Sequence, residues 1–203
     1  TIRLTIEVER VEGMETVLAG VVGLGAKPGE YASFSLSVMN TGNGPTTFEV
    51  SCETPNRWLV ELGNGNSSSL VLEPLTRLQF LPLQVRVRVP AVSDGQPAAG
   101  NTESVDCVTS SLNDPLITST ESATVEVFQS TSFRAELFDG NHDPLGPSAT
   151  VTPISVQNGE TVIHTLELEN EGNIAFDLIV RATPGLNTWG MEITAGPFTD
   201  DRT

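Results

Sequence analysis

The stretch GEYASFSLSVMNTG, residues 29–42, decides the fold because apolar and polar side chains alternate along it before a turn of the form Asn-x-Gly. One side of this segment is formed by Ala32, Phe34, Leu36 and Val38. Serines fill the positions between them. Alternation with a period of two predicts a β-strand with one buried and one solvated face, as in an antiparallel sheet.

The same pattern returns as GETVIHTLELENEG, residues 159–172, with every residue number raised by 130 (from 29 to 159). The recurring pairs are Gly29/Gly159, Glu30/Glu160, Asn40/Asn170, Gly42/Gly172 and Asn43/Asn173. Further along the chain, Phe48 corresponds to Phe176 and Trp58 to Trp189. A repeat of this length is a whole domain rather than a solenoid unit of about 20–50 residues. We therefore predict one module over residues 1–130 and a second over 131–203, of which only the N-terminal part is present.

Short alternating segments separated by Gly, Pro, Asn and Asp turns continue through both modules. In the first module they lie at residues 2–8, 17–22, 32–38, 46–52, 58–62, 69–72, 83–89, 104–109 and 122–128. In the second they lie at residues 133–138, 149–154, 161–169, 174–181 and 188–194. Seven or more short strands in about 130 residues predict an all-β protein of tandem immunoglobulin-like antiparallel sandwiches.

The shortened second copy has three explanations, which the sequence leaves open. The chain is a piece of a longer array, or a second chain supplies the missing strands by strand addition. The third explanation is a smaller variant of the module that closes with fewer strands.

Two cysteines occur, Cys52 and Cys107, and each keeps phase with the apolar side of its strand. A disulfide between them suits an extracellular β-domain. The alternative is a pair of buried free thiols that act as small apolar residues.

The recurring residues have structural explanations. Gly and Asn adopt positive φ in turns, and an Asn side chain bonds its own neighbouring backbone, which accounts for Asn40, Gly42, Asn170 and Gly172. Phe48 and Phe176 are expected to fill the core between the sheets. Trp58 and Trp189 are expected to close one end of each sandwich.

One local cluster favours a metal. Asp139, Asn141 and Asp143 place oxygen-bearing side chains at alternate positions, a pattern that suits Ca²⁺. The alternative is a plain Asp-Gly turn, and the first module has no such cluster near Glu12 and Gly13. Calcium is the only cofactor that the sequence indicates.

Other polar motifs are weaker. Asn66 begins the glycosylation sequon Asn-Ser-Ser in a turn. His164 shares the inward phase of its strand and is expected to be a packed side chain, since the first module has Phe34 there. No nucleophile elbow, zinc-protease or phosphate-loop motif occurs, so we expect no enzymatic activity.

The charge balance excludes one class of partner. Ten basic residues stand against 26 acidic ones, for a net charge of −16, so a nucleic acid is not an expected partner. No apolar stretch reaches the length of about 18 residues that a membrane span needs.

Residues 28–62, from PGEYASFSLSVMNTGNGPTTFEV onward, and the later segment LVLEPLTRLQFLPLQVRVRVP resemble a known kind of module. The pattern of Pro-Gly-Glu, an alternating strand, Asn-x-Gly-Asn, Phe, Pro and Trp is similar to the NPCBM-associated (alpha-galactosidase-associated) domains and to CARDB domains. The resemblance implies an immunoglobulin-like spacer without catalytic residues, from an archaeal or bacterial surface protein or secreted enzyme.

These observations favour an extracellular structural or interaction protein at the cell surface. Its modules would act as a spacer or as a self-assembling element of a surface layer, sheath or filament, with copies of itself or other surface proteins as partners. The alternatives are an accessory module of a secreted glycan-active enzyme, for which Tyr31 is the main outward aromatic residue, and an adhesin.

Overall fold

The computed structural model describes residues 7–93, 96–145, 157, 159–181 and 192–194. The chain divides into two compact units. Unit 1 comprises residues 1–91 and 97–128, and unit 2 comprises residues 92–96 and 129–203. All the described secondary structure is β-strand, so the prediction of an all-β fold is confirmed.

Nine strands of unit 1 form two sheets. The first sheet has the order β1-β3-β7-β5, from Met14–Ala19, Tyr31–Asn40, Phe80–Arg88 and Leu59–Leu62. The second has the order β2-β9-β8-β4-β6, from Gly25–Ala26, Thr118–Val127, Thr102–Ser111, Phe48–Glu53 and Ser69–Val71. β2 pairs with β9 in parallel, and all other neighbouring strands of these two sheets are antiparallel. The first two strands, β1 and β2, thus lie in different sheets of an immunoglobulin-like sandwich.

The core of unit 1 lies between the two sheets and follows the period of two seen in the sequence. Leu36, Val38 and Phe48 have no exposed surface, and Val85 and Val125 face them from other strands at 0 % exposure. Trp58 is half-buried and packs against the edge of this cluster. Because every strand contributes alternate side chains, the alternation within residues 32–38 was enough to indicate the buried face.

The first predicted strands need correction. The predicted strand 17–22 begins three residues late: β1 spans Met14–Ala19 and is followed by Gly20, which has a φ of 79°. Residues 7–13 form no strand, and Val8 is 76 % exposed. The remainder of the predicted strand 2–8 lies outside the described residues.

The predicted disulfide is confirmed. Cys52 and Cys107 lie directly opposite each other on β4 and β8, with 4.1 Å between their Cα atoms. The backbone nitrogen of Cys52 bonds to Ser68 on the other side of β4, so the cysteines form a pair that is not hydrogen-bonded to each other, where antiparallel strands approach most closely. The bridge therefore joins neighbours within one sheet, whereas antibody domains bridge the two sheets.

The described part of unit 2 contains one antiparallel pair of strands, in which β10 (Phe133–Phe138) pairs with β11 (Thr165–Asn170). Leu166 and Leu168 are 41 % and 42 % exposed, because the described part of unit 2 has no second sheet over this face. His164 is likewise exposed, so the prediction of a packed histidine was wrong for the described structure.

Several expectations for unit 2 fall elsewhere. Trp189, the predicted strand 149–154 and most of 188–194 lie outside the described residues. Residues 174–181 are described and form no strand. Within the described residues there is no helix of the length and apolar character that a membrane crossing requires.

Candidate functional site: two linker-binding turns

Each unit contains an antiparallel strand pair of the same register. Met14 on β1 pairs with Asn40 on β3, and Phe133 on β10 pairs with Asn170 on β11. Each of these strand pairs comprises six residue pairs. The first strands correspond when 119 is added (14 to 133), whereas the second strands correspond when 130 is added (40 to 170). The connection between the two strands is therefore eleven residues longer in unit 2.

The second strand of each pair, β3 or β11, is followed by a turn that binds the segment entering its own unit. We call residues 40–44 the first linker-binding turn and residues 170–174 the second. The entering segments are residues 9–13 and 129–132. These turns contain the recurring Asn and Gly residues that the sequence singled out.

In the first turn, Asn43 holds the entering segment through backbone and side chain together. Its side-chain oxygen accepts a hydrogen bond from the backbone nitrogen of Val11 at 2.8 Å, and its amide nitrogen donates to the Glu9 carbonyl at 2.7 Å. Its backbone nitrogen donates to the Val11 carbonyl at 2.9 Å. Thr41 adds a bond to the carbonyl of Gly13 at 3.0 Å. The segment is thus fixed over five residues.

The second turn repeats this arrangement. The side-chain oxygen of Asn173 accepts from the backbone nitrogen of Ser130 at 2.7 Å, and the backbone nitrogen of Asn173 donates to the Ser130 carbonyl at 3.1 Å. The backbone nitrogen of Glu171 donates to the carbonyl of Ser132 at 3.0 Å. The same bonds form although Ser130 stands where unit 1 has Val11, because they involve only backbone atoms of the entering segment.

Asn40 and Asn170 shape the turns themselves. The Asn40 side-chain oxygen accepts from the Gly42 nitrogen at 2.8 Å, and its amide nitrogen donates to the Gly44 carbonyl at 2.8 Å. Asn170 makes the same two bonds, to Gly172 and to Ile174, at 2.9 Å each. Asn40 also donates to the carbonyl of Leu75 at 2.7 Å, a bond with no counterpart in the described part of unit 2.

Gly42 and Gly172 are required by close approach. A Cβ atom on Gly42 would lie 2.6 Å from the carbonyl oxygen of Val11, and one on Gly172 would lie 2.6 Å from that of Ser130. Any side chain at either position would push the entering segment off the turn. The glycines are therefore explained by contact with the linker rather than by a positive φ.

The sequence predicted the turns but missed what they bind. Asn43 and Asn173 were recognised as repeated residues, yet their partners Val11 and Ser130 differ in type. The sequence did contain a signal for these partners, because it repeats with two offsets. The entering segments and first strands of the two units are 119 residues apart, whereas the turns are 130 residues apart.

Unit 1 reinforces its entering segment with charged side chains. Arg10 donates to the carbonyl of Pro45 at 2.6 Å and pairs with the carboxylate of Glu12. The other carboxylate oxygen of Glu12 accepts a hydrogen bond from the hydroxyl of Thr46. Unit 2 has Gln129 and Thr131 in place of these two charged residues.

The predicted calcium cluster lies in the longer connection of unit 2. The carboxylate of Asp139 accepts hydrogen bonds from the backbone nitrogens of Asn141 at 2.9 Å and Asp143 at 3.0 Å. These bonds, that from Asp143 first, lower the pKa of Asp139 below its ordinary value. At the offset of 119 that relates β1 to β10, Asp139 corresponds to Gly20 and not to Glu12 or Gly13, which corrects the position that the sequence repeat suggested. Among the described residues no group of three or more His, Cys, Asp or Glu side chains is placed to hold a metal, and calcium stays a prediction.

Tyr31 lies on the outer face of the first sheet, within a charged cluster. Its hydroxyl donates to Glu61 at 3.0 Å, and the guanidinium of Arg86 lies 4.7 Å from the centre of its ring. Arg86 also bonds to Glu61, whose carboxylate is mostly buried. The hydrogen bond from Arg86 lowers the pKa of Glu61 below its ordinary value of 4.5. One ring face and the hydroxyl of Tyr31 are thus already engaged.

The remaining predicted positions are placed as follows. Asn66 is exposed in the connection between β5 and β6, and its glycosylation stays a prediction. Phe176 is half-buried, with its ring centre 6.4 Å from that of Phe133. An open hollow of about 270 Å³ is lined by Glu53, Thr54, Pro55, Arg57 and Asp106. The absence of enzymatic activity remains a prediction.

The fold defines an all-β sandwich protein with linker-binding turns. No protein-family model matches the chain, and the search of curated proteins also found no match. The resemblance to NPCBM-associated and CARDB domains therefore remains a prediction.

Solved structures with similar folds include a FixG-related protein from Vibrio parahaemolyticus, at 12 % identity and a TM-score of 0.38 over 57 % of this chain and 95 % of that one. Native alpha-2-macroglobulin of Escherichia coli matches at 13 % identity and a TM-score of 0.40, over 62 % of this chain and 7 % of its own. The PapD-like domain 7 of human CEP192 matches at 11 % and 0.33, over 64 % and 99 %.

Proposed function

We propose that the chain is part of an extracellular structural protein, an array of immunoglobulin-like modules that acts as a spacer or self-assembling element at a cell surface. The observation that carries this proposal is the recurrence of the linker-binding turn. Asn43 and Asn173 hold the entering segments of their units through the same two hydrogen bonds, one to the asparagine side-chain oxygen and one from its backbone nitrogen. A protein that spaces or displays other parts needs each module to begin at a fixed point on the chain.

The turn supplies that fixed point. An unrestrained linker samples many conformations, and its end-to-end distance varies accordingly. Three hydrogen bonds to the backbone of Val11 and Gly13, one of them through the side-chain oxygen of Asn43, commit the entering segment of unit 1 to one path along the turn. The corresponding bonds to Ser130 and Ser132 do the same in unit 2.

Two further properties support an extracellular position. Disulfides such as that between Cys52 and Cys107 persist in oxidising compartments and are rare in the cytosol. A net charge of −16 keeps an exposed protein soluble and opposes unspecific clustering.

The alternative function, an accessory carbohydrate-binding module, depends on an aromatic ring that a sugar can stack upon. Tyr31 was its main candidate. Arg86 over the ring and Glu61 at the hydroxyl leave it less of the ring surface that such stacking uses. The structural role is therefore the better supported of the two.

Sedimentation velocity on the full chain, from micromolar to millimolar concentration, tests the proposal together with a glycan array. A monomer at all concentrations indicates a spacer, and oligomers that grow with concentration indicate a self-assembling element. A glycan signal that is lost in Tyr31→Ala and kept in Phe80→Ala, an exposed aromatic residue on the neighbouring strand, would overturn the proposal in favour of the accessory module.

A further inference from the structure

The segment that enters unit 2 leaves directly from the last strand of unit 1. β9 ends at Val127, and residues 129–132 follow as the entering segment. The segment that enters unit 1 is bound in the same way, through Val11 and Gly13. If the two entrances are equivalent, the residues before position 9 should match the end of β9.

They do match, at the offset of the entering segments. Residues 4–8 read LTIEV and residues 123–127 read ATVEV, again 119 apart (from 4 to 123). Three of the five residues are identical, Thr5/Thr124, Glu7/Glu126 and Val8/Val127. The other two pairs, Leu4/Ala123 and Ile6/Val125, are apolar in both places.

Burial separates the two copies of this sequence. Ala123, Val125 and Val127 are 4 %, 0 % and 1 % exposed, because β9 lies between β2 and β8 and faces the first sheet. Val8 is the described counterpart of Val127, and it is 76 % exposed. Val8 is thus exposed, although the equivalent residue Val127 is buried in the core of a sandwich.

We propose that residues 4–8 are the last strand of a further sandwich unit of the same kind, which precedes unit 1. The segment would lie in that unit where β9 lies in unit 1, between the strands that correspond to β2 and β8. Leu4, Ile6 and Val8 would face its core, and Thr5 and Glu7 would face solvent. This inference rests on the proposed modular array and adds to it a third unit and a common junction.

A fusion that contains the full chain tests the inference. Residues 10–122 are joined directly to residue 4 of the chain 4–203, so that LTIEV replaces ATVEV as the last strand of the added unit. Hydrogen exchange is followed at the amides of Glu7 and Val8, which lie in no strand of the original chain. We expect rapid exchange in the original chain and strong protection in the fusion, together with a second protease-resistant unit 1. Exchange that stays rapid in the fusion would overturn the inference.

Two matched substitutions guard against unspecific effects. In the fusion, Val8→Asp places a charge in the expected core and should abolish protection of the added unit, whereas Thr5→Asp places the same charge on the solvent side and should leave it. In the original chain, Val8→Asp should leave the melting temperature unchanged, because Val8 is already exposed. Equal effects of the two substitutions in the fusion would contradict the inference. None of these outcomes decides whether the array spaces, self-assembles or binds glycans, so the proposed function stands or falls separately.

Discussion

The backbone nitrogen of Val11 donates a hydrogen bond to the side-chain oxygen of Asn43 across 32 residues of sequence. Ser130 and Asn173 repeat this bond in unit 2, across 43 residues. The separation differs by eleven residues while the geometry is the same, so the insertion lies in the connection and not in the turn. The predictions below follow from this arrangement and from the packing around it.

The buried Asn40 should contribute more to stability than its half-buried counterpart Asn170. Asn40→Ala removes three side-chain hydrogen bonds at a site with no exposed surface and should lower the free energy of unfolding of unit 1 by about 2–4 kcal/mol. Asn170→Ala removes two bonds at a half-buried site and should cost unit 2 about 1 kcal/mol. Hydrogen exchange resolved by unit measures both. Equal losses would show that burial at the two turns does not differ as described.

The disulfide should stabilise unit 1 by limiting its unfolded state. Cys52 and Cys107 are 55 residues apart, for which loop-closure entropy gives about 4 kcal/mol. The double variant Cys52→Val/Cys107→Val keeps the apolar character of the site, and Val180 is the counterpart of Cys52 in unit 2. Chemical denaturation should show the loss in unit 1 alone. A variant as stable as the wild type would mean that the bridge adds no constraint.

Acid should weaken the cluster on the outer face of the first sheet. The pKa of Glu61 is lowered in the folded state by Arg86, so the folded state favours the ionised carboxylate. The stability it contributes is present above about pH 4.5, the ordinary value, and is lost as the pH falls through the lower folded value. Melting temperatures measured across this range should therefore fall more steeply in the wild type than in Glu61→Gln. Parallel curves would show that the ionisation of Glu61 does not contribute to stability.

The exposure of the strand pair β10–β11 predicts unequal losses of stability for matched truncations in the two units. Leu36 has no exposed surface, and its counterpart Leu166 is 41 % exposed. Leu36→Ala should cost about 3–5 kcal/mol through lost burial and the resulting cavity. Leu166→Ala should cost less than about 1 kcal/mol, since it leaves no enclosed cavity. A large loss for Leu166→Ala in the chain by itself would show that this face is covered.

Much of unit 1 could be predicted because the alternation of apolar and polar side chains is a signal contained within each strand. Alternation placed the core face of β3 and the phase of Cys52 and Cys107, since successive side chains of a strand point to opposite sides. The start of β1 was missed because Val17 and Val22 are apolar yet exposed, and apolar residues on outer faces carry no phase information.

The function of the turns could not be deduced from composition. Asn43 binds the backbone of Val11, and a backbone partner leaves no preference for residue type at that position. The prediction that His164 is a packed side chain was wrong for a different reason. Its phase was inward, but phase predicts burial only where a second sheet covers the face.

The most direct test of the central claim is residue-resolved hydrogen exchange at the amides of Val11 and Ser130 in the full chain. Asn43→Ala should speed exchange at Val11 by about tenfold and leave Ser130 unchanged, and Asn173→Ala should do the reverse. Asn43→Asp keeps the acceptor oxygen and should retain protection at Val11. Unchanged exchange at both amides in the two alanine variants would contradict the claim that these turns bind the linkers.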